Sequence, residues 1–247
     1  MLGSIGQGAL VLALLAAVAG VACLSWVGRR RRIQQIEREA RSHGWSYQDE
    51  DASLVREWTG EPFEAGANRR ATNVVVGTDQ GRRFVVFDYS YVVQRTGGSP
   101  LGSVNPSTDR RHFVVTVVAL PVALPMLEVT PDSLVFRIAS GVGLVQDINV
   151  ESDAFNQRFR VRSQSAKFAS DVLHPRQIEQ LLAGPERPWR IEGGSILAWR
   201  DGELEAAQLA EDLPLLAGVI DRVPRFVWVD RGYDPGDGRT DERRSEP

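Results

Sequence analysis

Cysteine, histidine and lysine are scarce in this sequence, and each shortage limits the sites it can build. The single cysteine, Cys23, cannot form an intramolecular disulfide or a cysteine-based zinc cluster. The histidines are His43, His112 and His174, which lie far apart in the chain, and no acidic cluster resembles a calcium loop. We therefore expect no metal and no other cofactor. Lys167 is the only lysine, and the accompanying arginine-rich usage is typical of a high-GC bacterial genome.

The composition as a whole is that of a folded protein. Of the 247 residues, 43% are apolar and 25% are charged, and the formal net charge is -3. Disordered chains have fewer apolar residues and a larger net charge. No short repeat is visible, which excludes a collagen-like or coiled-coil rod.

A long uncharged run lies at the N-terminal end. The 23 residues from Ile5 to Val27 carry no charge, and as a helix they would extend about 34 Å, against about 30 Å for the hydrocarbon layer. Trp26 lies where an interfacial aromatic residue is expected. Four arginines, Arg29, Arg30, Arg31 and Arg32, follow immediately. The pattern predicts a transmembrane anchor over residues 1–28.

Two cleaved alternatives fit the same run less well. A secretory signal requires positive charge before its apolar stretch, and no lysine or arginine precedes Ile5. Residues 20–23, Gly-Val-Ala-Cys, loosely approximate a lipoprotein signal, but further apolar residues and the arginines follow. Because short cationic flanks stay in the cytoplasm, Arg29–Arg32 act as topology determinants. We expect a single-pass protein of the cell membrane with its N-terminus outside and its domain in the cytoplasm.

Residues 29–44 are predicted to form a basic juxtamembrane helix. Ile33, Ile36 and Ala40 recur at helical spacing, and Gly44 is a plausible stop. The segment holds six arginines and two glutamates, so the rest of the chain is more acidic than the overall charge suggests. The helix could attach to anionic headgroups, but topology alone already requires the arginines, which favours a simple spacer.

Residues 45–229 are predicted to form one α+β domain, mainly an antiparallel β-sheet with C-terminal helices. Residues 73–78 and 83–94 indicate a hairpin whose second strand places Val85, Phe87, Tyr89, Tyr91 and Val93 on one face, opposite Asp88 and Ser90. A long loop is expected at 96–110, followed by strands at 112–120 and 126–130.

The C-terminal half is predicted to mix both element types. The patterns indicate a strand at 158–163, helices at 166–173 and 176–183, and a second hairpin, 189–192 with 195–200, turning at Gly193-Gly194. An amphipathic helix is expected over 209–223, bent or split by Pro214. Residues 230–247 are predicted to be a disordered tail.

No catalytic motif is found. The Gly-x-Ser-x-Gly motif is absent, and the glycines at 98–102 and 141–143 fit a loop and a turn rather than a nucleophile elbow or a dinucleotide fingerprint. The aromatic stripe of Phe84, Phe87, Tyr89 and Tyr91 is interpreted as core. We predict no catalytic, cofactor-binding or metal-binding residues.

Three arginine pairs flank the predicted strands: Arg69-Arg70, Arg82-Arg83 and Arg110-Arg111. They could contact lipid headgroups or phosphate, although solvated strand ends explain them equally well. The acidic balance of the domain weighs against nucleic acid as a partner.

Several phrases occur together in order. They are 44–47 (GWSY), 61–63 (EPF), 81–84 (GRRF), 87–91 (FDYSY), 124–125 (LP), 155–161 (FNQRFRV) and 174–175 (HP), with Gly77 before the third. With these phrases the chain resembles a group of uncharacterised actinobacterial proteins that have an N-terminal membrane helix and a cytoplasmic domain of unknown function. The resemblance implies a membrane location and supplies no catalytic residues.

Three functions are therefore compared. The favoured hypothesis is a membrane-tethered, non-enzymatic domain that binds an unknown protein partner or acts as a scaffold. The alternative is a module that binds lipid headgroups or a small ligand through the arginine pairs, and the third is a membrane-bound hydrolase with a dispersed site.

Overall fold

The computed structural model describes the backbone of residues 2–98, 104–135 and 146–236, and the side chains of 15–94, 108–133 and 147–236. The predictions for the centre of the 96–110 loop, for the glycines at 141–143 and for most of the tail lie outside the described residues.

The chain begins with one long helix, α1, which runs from Leu2 to Ser42 without interruption. Gly44, with a φ of 72°, follows its end, because glycine adopts this left-handed conformation without steric cost. The helix predicted before Gly44 is therefore confirmed, and Ile36 and Ala40 on it are fully buried. Within the residues that the structure describes, no helix has the combined length and apolarity needed to span a membrane. Part of the predicted span, up to Leu14, has undescribed side chains.

The domain is built on one seven-stranded antiparallel sheet. Its strands are β1 (Ser46–Glu50), β2 (Ala67–Asp79), β3 (Arg82–Gly98), β4 (Val104–Pro131), β5 (Gln146–Ile148), β6 (Phe159–Ser163) and β7 (Trp189–Asp201). The order is β1-β2-β3-β4-β6-β5, and β7 pairs with β4 off this path. Together with the helices, this confirms the predicted α+β class with an antiparallel sheet.

Strand β4 is longer than predicted, because the strands predicted at 112–120 and 126–130 form one continuous strand. Its first part, 104–118, pairs with β3 and its last part, 127–131, pairs with β6. The expected break at Pro121 and Pro125 appears only as shifts in the register with β7 between Ala119 and Leu127. The predicted 96–110 loop is also wrong at its flanks, where Gly98 pairs with Val104 and Val92 with Arg110.

The predicted second hairpin at Gly193-Gly194 is wrong. Both halves belong to β7, and both pair with β4, from Trp189 opposite Val129 to Asp201 opposite Phe113. Gly193, with a φ of 58°, lies in the middle of this strand, where the register with β4 shifts. A glycine pair bounded by two strand-like runs marks an irregularity within one strand here.

The sheet has two covered faces. Short helices pack on one face: α3 (Asp153–Arg158), α4 (Ala166–Val172), α5 (Pro175–Ala183), α6 (Leu213–Arg222) and α7 (Arg225–Val229). A further short helix, α2 (Asp132–Val135), follows β4 directly. The end of α1 joins this core through Ile36 and Ala40. On the other face, Trp58 and Phe63 from the segment after β1 pack on the aromatic residues of β3.

The alternation predicted for β3 is confirmed. Phe87, Tyr89 and Tyr91 lie in the aromatic core, whereas Phe84 lies on the helix face, with its ring 4.8 Å from that of Trp45. The aromatic stripe is therefore core, as interpreted, but it is divided between the two faces.

The C-terminal helices follow the sequence signals, with two exceptions. Pro175 begins α5, and Ser165 caps α4 by accepting a hydrogen bond from the Phe168 N–H. The helix expected over 209–223 begins only at Leu213, because Pro214 occupies its first turn instead of bending its interior. The apolar run 226–229, for which no element is predicted above, lies in α7.

Candidate functional site

A polar groove of about 530 Å³ lies in the angle between α1 and the sheet. One wall is a single face of α1, because its four residues are spaced as i, i+3, i+4 and i+7. The floor consists of residues on β2, β3 and β4, and the residue after the turn that follows β7 closes one side. The lining residues are Ser25, Gly28, Arg29, Arg32, Arg70, Thr72, Asn73, Asp88, Ser90, Arg110, His112 and Glu203.

Strand alternation explains why the floor is polar. Asp88 and Ser90 point away from the aromatic core, toward the helix face of the sheet. Ser90 is paired on one side with Arg70 and on the other with His112. A row of three polar residues thus crosses three strands under α1.

Asp88 is the buried centre of the groove. It is 4% exposed, and its carboxylate accepts hydrogen bonds from the Asn73 side-chain amide at 2.7 Å and from the Leu204 N–H at 2.5 Å. The Tyr47 hydroxyl donates to the oxygen of the Asn73 amide at 2.9 Å and so orients it. Burial raises the pKa of Asp88 above its ordinary value, although these donors and Arg32 oppose the shift.

Arg32 joins α1 to this network. Its guanidinium lies 3.4 Å from the Asp88 carboxylate and also donates to Glu203, and the side chain is only 18% exposed. Glu203 in turn lies 3.5 Å from the His112 ring. Arg32, which is predicted above as a topology determinant, holds the helix to the sheet in the structure.

The structure brings together arginines from three separate parts of the sequence. Arg29 and Arg32 come from the arginine run, Arg70 from the first pair and Arg110 from the third. Arg70 forms a two-bond ion pair with Glu50, at 3.1 and 2.6 Å. These four arginines line the same groove, although no single stretch of sequence contains them.

The remaining predicted arginines lie elsewhere. Arg30 stacks over the Trp26 ring at 5.1 Å, and Arg31 is exposed. Arg69 donates to backbone carbonyls at the end of the segment before β2, and Arg111 lies 3.8 Å from Asp201.

The second arginine pair belongs to a different pocket. Arg82 forms an ion pair with Asp221, and together with Arg83 it lines a depression of about 640 Å³ near α6 and α7. The structure thus separates this pair from the other two.

Two cations of the groove have no acidic partner among the described side chains. Among the side chains that the structure describes, neither Arg29 nor Arg110 contacts a carboxylate. Arg110 donates to the Ser90 hydroxyl at 3.2 Å. The groove therefore presents uncompensated positive charge next to hydroxyl groups.

The groove also contains the residue types of a serine hydrolase. Ser90, His112 and Glu203 line it together, and Glu203 is close to His112. Among the described contacts, however, no hydrogen bond joins the Ser90 hydroxyl to His112, and such a bond is what activates a nucleophile. Within the described side chains there is also no group of three or more His, Cys, Asp or Glu residues placed to hold a metal ion.

A buried ion cluster outside the groove has a structural role. Arg190, 2% exposed, contacts Glu128 and Glu192 at 3.0 Å and donates to the carbonyls of Thr59 and Glu61. It ties the segment before β2 to β7. No local pattern marks this cluster, because its members are up to 133 residues apart.

Sequence reasoning missed most of the groove floor. Asp88 and Ser90 could have been identified, because they are polar residues alternating with aromatic ones on a central strand. Asn73, His112 and Glu203 carry no local pattern. The register of β3 with β4 places His112 opposite Ser90, whereas Asn73 lies at an irregularity in the pairing of β2 with β3 and Glu203 follows the end of β7.

Comparison with known proteins supports the fold. No protein-family model and no curated protein matches the chain. Among solved structures, it is similar to the crystal structure of the mycobacterial trehalose monomycolate transport factor A, TtfA. The TM-score is 0.59 and the identity 16%, over 78% of this chain and 94% of that chain. At this identity the similarity shows a shared fold.

Proposed function

We propose that the chain is a single-pass, non-enzymatic accessory protein of the cell membrane, whose cytoplasmic domain binds a protein partner. The observation that carries the proposal is the continuity of α1, which extends from the apolar N-terminal run into the core of the domain. A continuous helix whose C-terminal end is buried in the domain, and whose N-terminal part lies in the membrane, holds the domain at a fixed distance from the membrane.

The exposed surface of α1 supports a tether. Leu15, Val18, Val21 and Leu24 are each between 59% and 75% exposed, and Trp26 is 59% exposed. A helix surrounded by exposed apolar side chains requires a lipid or protein environment. Residues 5–27 are the proposed span, and Arg29–Arg32 follow it on the proposed cytoplasmic side.

The name of the similar mycobacterial structure supports the accessory role. That protein is called a transport factor. A similar fold in this chain fits a protein that assists other proteins rather than one that catalyses a reaction.

Crosslinking in native membranes followed by purification tests the partner. We expect one reproducible partner that is lost when a flexible glycine-serine linker is inserted between residues 24 and 25 of α1, because the domain would no longer be held at a fixed distance from the membrane. The insertion leaves Arg32, Ile36 and Ala40 in their contacts with the domain. Recovery of no reproducible partner contradicts the proposal. Reporter fusions after Gly28 and at the C-terminus test the orientation, and activity only outside the cytoplasm would overturn it.

If the protein is not an enzyme, as proposed, Ser90 should not react as a nucleophile. Ser90 is largely buried, and its hydroxyl accepts from Arg110. We therefore expect no labelling of the full chain by a fluorophosphonate probe. Labelling that Ser90→Ala abolishes and Ser46→Ala leaves intact would instead support a hydrolase.

Headgroup binding is a second candidate function. The observation that favours it is the convergence of Arg29 and Arg110, both without a carboxylate among the described side chains, in a groove beside the proposed span.

A further inference from the structure

We infer that the groove between α1 and the sheet is a binding site for the phosphate group of an anionic lipid headgroup. The inference rests on the second candidate function above and specifies its ligand and its residues.

The donors of the groove match the chemistry of phosphate. Arginine presents a planar fork of N–H groups that suits phosphate oxygens. Arg29 and Arg110 supply two such forks without a competing carboxylate among the described side chains, and the Ser90 and Thr72 hydroxyls line the same space.

The acidic residues of the groove do not oppose an anion at this place. Asp88 is occupied by Asn73, Leu204 and Arg32, and Glu203 is held by Arg32. Both carboxylates therefore have donors within the protein. The four arginines that line the groove outnumber Asp88, Glu203 and Glu50, the last of which pairs with Arg70.

The position of the groove favours a lipid as the source of the phosphate. Its helical wall, from Ser25 to Arg32, directly follows Leu24, which is 75% exposed. Arg29 lies five positions after Leu24, or about 7.5 Å along the helix, which is close to the depth of one headgroup layer. If the apolar part of α1 lies in the hydrocarbon, the groove is at the level of the lipid phosphates.

Gly28 leaves the entrance open. A side chain added at this position would meet no other atom within 4 Å, so the helix wall is bare between Ser25 and Arg29. The volume of about 530 Å³ is within the range of small-ligand sites.

The charge test uses the full chain in an uncharged maltoside detergent. Calorimetry measures binding of dihexanoyl phosphatidylglycerol, dihexanoyl phosphatidylcholine and inorganic phosphate. We expect phosphatidylglycerol to bind, and the double variant Arg29→Gln/Arg110→Gln to weaken it about 25-fold, or about fivefold for each arginine. The matched control, Arg31→Gln/Arg83→Gln, removes the same charge outside the groove and should leave the affinity unchanged.

The steric test leaves every charge in place. Gly28→Leu should abolish binding, because a leucine side chain would occupy the groove. Gly20→Leu is its control, since a side chain at Gly20 also meets nothing within 4 Å. Leucine favours helix more than glycine does, so neither variant should unfold α1.

Several outcomes overturn the inference. They are equal weakening by the control arginine variant, equal binding of phosphatidylcholine, and normal binding by Gly28→Leu. Binding of inorganic phosphate without phosphatidylglycerol would keep the phosphate chemistry and reject the lipid source. Loss of ligand in the groove variants with an unchanged crosslinked partner would separate this site from the protein-binding function.

Discussion

The role of each arginine in this chain depends on whether the fold brings it into contact with a carboxylate. Arg32 and Arg29 are three residues apart on one helix, yet Arg32 contacts Asp88 and Glu203, whereas Arg29 has no described acidic contact. Sequence could identify both as basic and near the membrane. It could not assign their roles, because Asp88 lies 56 residues from Arg32 and Glu203 lies 171 residues from it.

Asp88 is predicted to stabilise the junction of α1 with the sheet. Asp88→Ala would leave the buried Asn73 amide and the Leu204 N–H without their acceptor, so we expect the free energy of unfolding to fall by about 2–4 kcal/mol. Denaturant titration of the full chain in detergent measures it. The exposed Glu57→Ala serves as control, and an equal effect in both variants would contradict this role.

The raised pKa of Asp88 predicts a dependence of stability on pH. Because the folded protein binds this proton more tightly than the unfolded chain does, the contribution is present below the ordinary pKa of 3.8 and is lost as pH rises through the raised value. Relative to Asp88→Asn, the wild type should therefore have a higher free energy of unfolding at about pH 4.5 than it has, by the same comparison, at about pH 7.5. A difference that grows with pH would show that the pKa is lowered instead.

At the level of elements, local patterns were sufficient wherever a helix or strand is defined by its own residues. The β2–β3 hairpin, α5 with its initial proline and the end of α1 all follow from spacing and capping. The errors occurred in β4 and β7, where two apolar runs separated by proline or glycine belong to one strand. Only pairing with a common neighbour makes each of them continuous, and that information is not local.

Gly193 and Gly194 provide a matched test of the irregularity in β7. Neither position has another atom within 4 Å of an added side chain, but only Gly193 has a positive φ, 58°. Gly193→Ala should lower the free energy of unfolding by about 1 kcal/mol, because alanine is strained in this conformation. Gly194→Ala should have almost no effect. Thermal unfolding of both variants checks the prediction, and equal stabilities would show that Gly193 can relax out of the left-handed region.

The docking of α1 depends on its buried residues. Ile36 is fully buried in the main core, so Ile36→Ala should lower the free energy of unfolding by about 2–5 kcal/mol. Ile33→Ala, one turn earlier and only partly buried, should cost clearly less. Chemical denaturation of the full chain in detergent compares the two, and equal losses would mean that the helix is not anchored through Ile36.

The whole molecule is an α+β domain carried on the end of one long helix. Composition alone would place the chain among ordinary folded proteins. The uneven distribution of charge divides it into an uncharged segment (residues 5–27), a cationic segment (residues 29–32) and a more acidic domain. The groove lies beside the cationic segment, and both proposals depend on the uncharged segment being in the membrane.

Cys23 tests that dependence most directly, because it is the only cysteine, is exposed on α1 and lies within the proposed span. A nitroxide attached to it in the full chain, reconstituted in phospholipid vesicles, reports its surroundings through spin relaxation by oxygen and by a water-soluble nickel chelate. We predict that oxygen, which concentrates in hydrocarbon, relaxes the label more strongly than the chelate does. Stronger relaxation by the nickel chelate would place Cys23 in water and contradict the membrane tether.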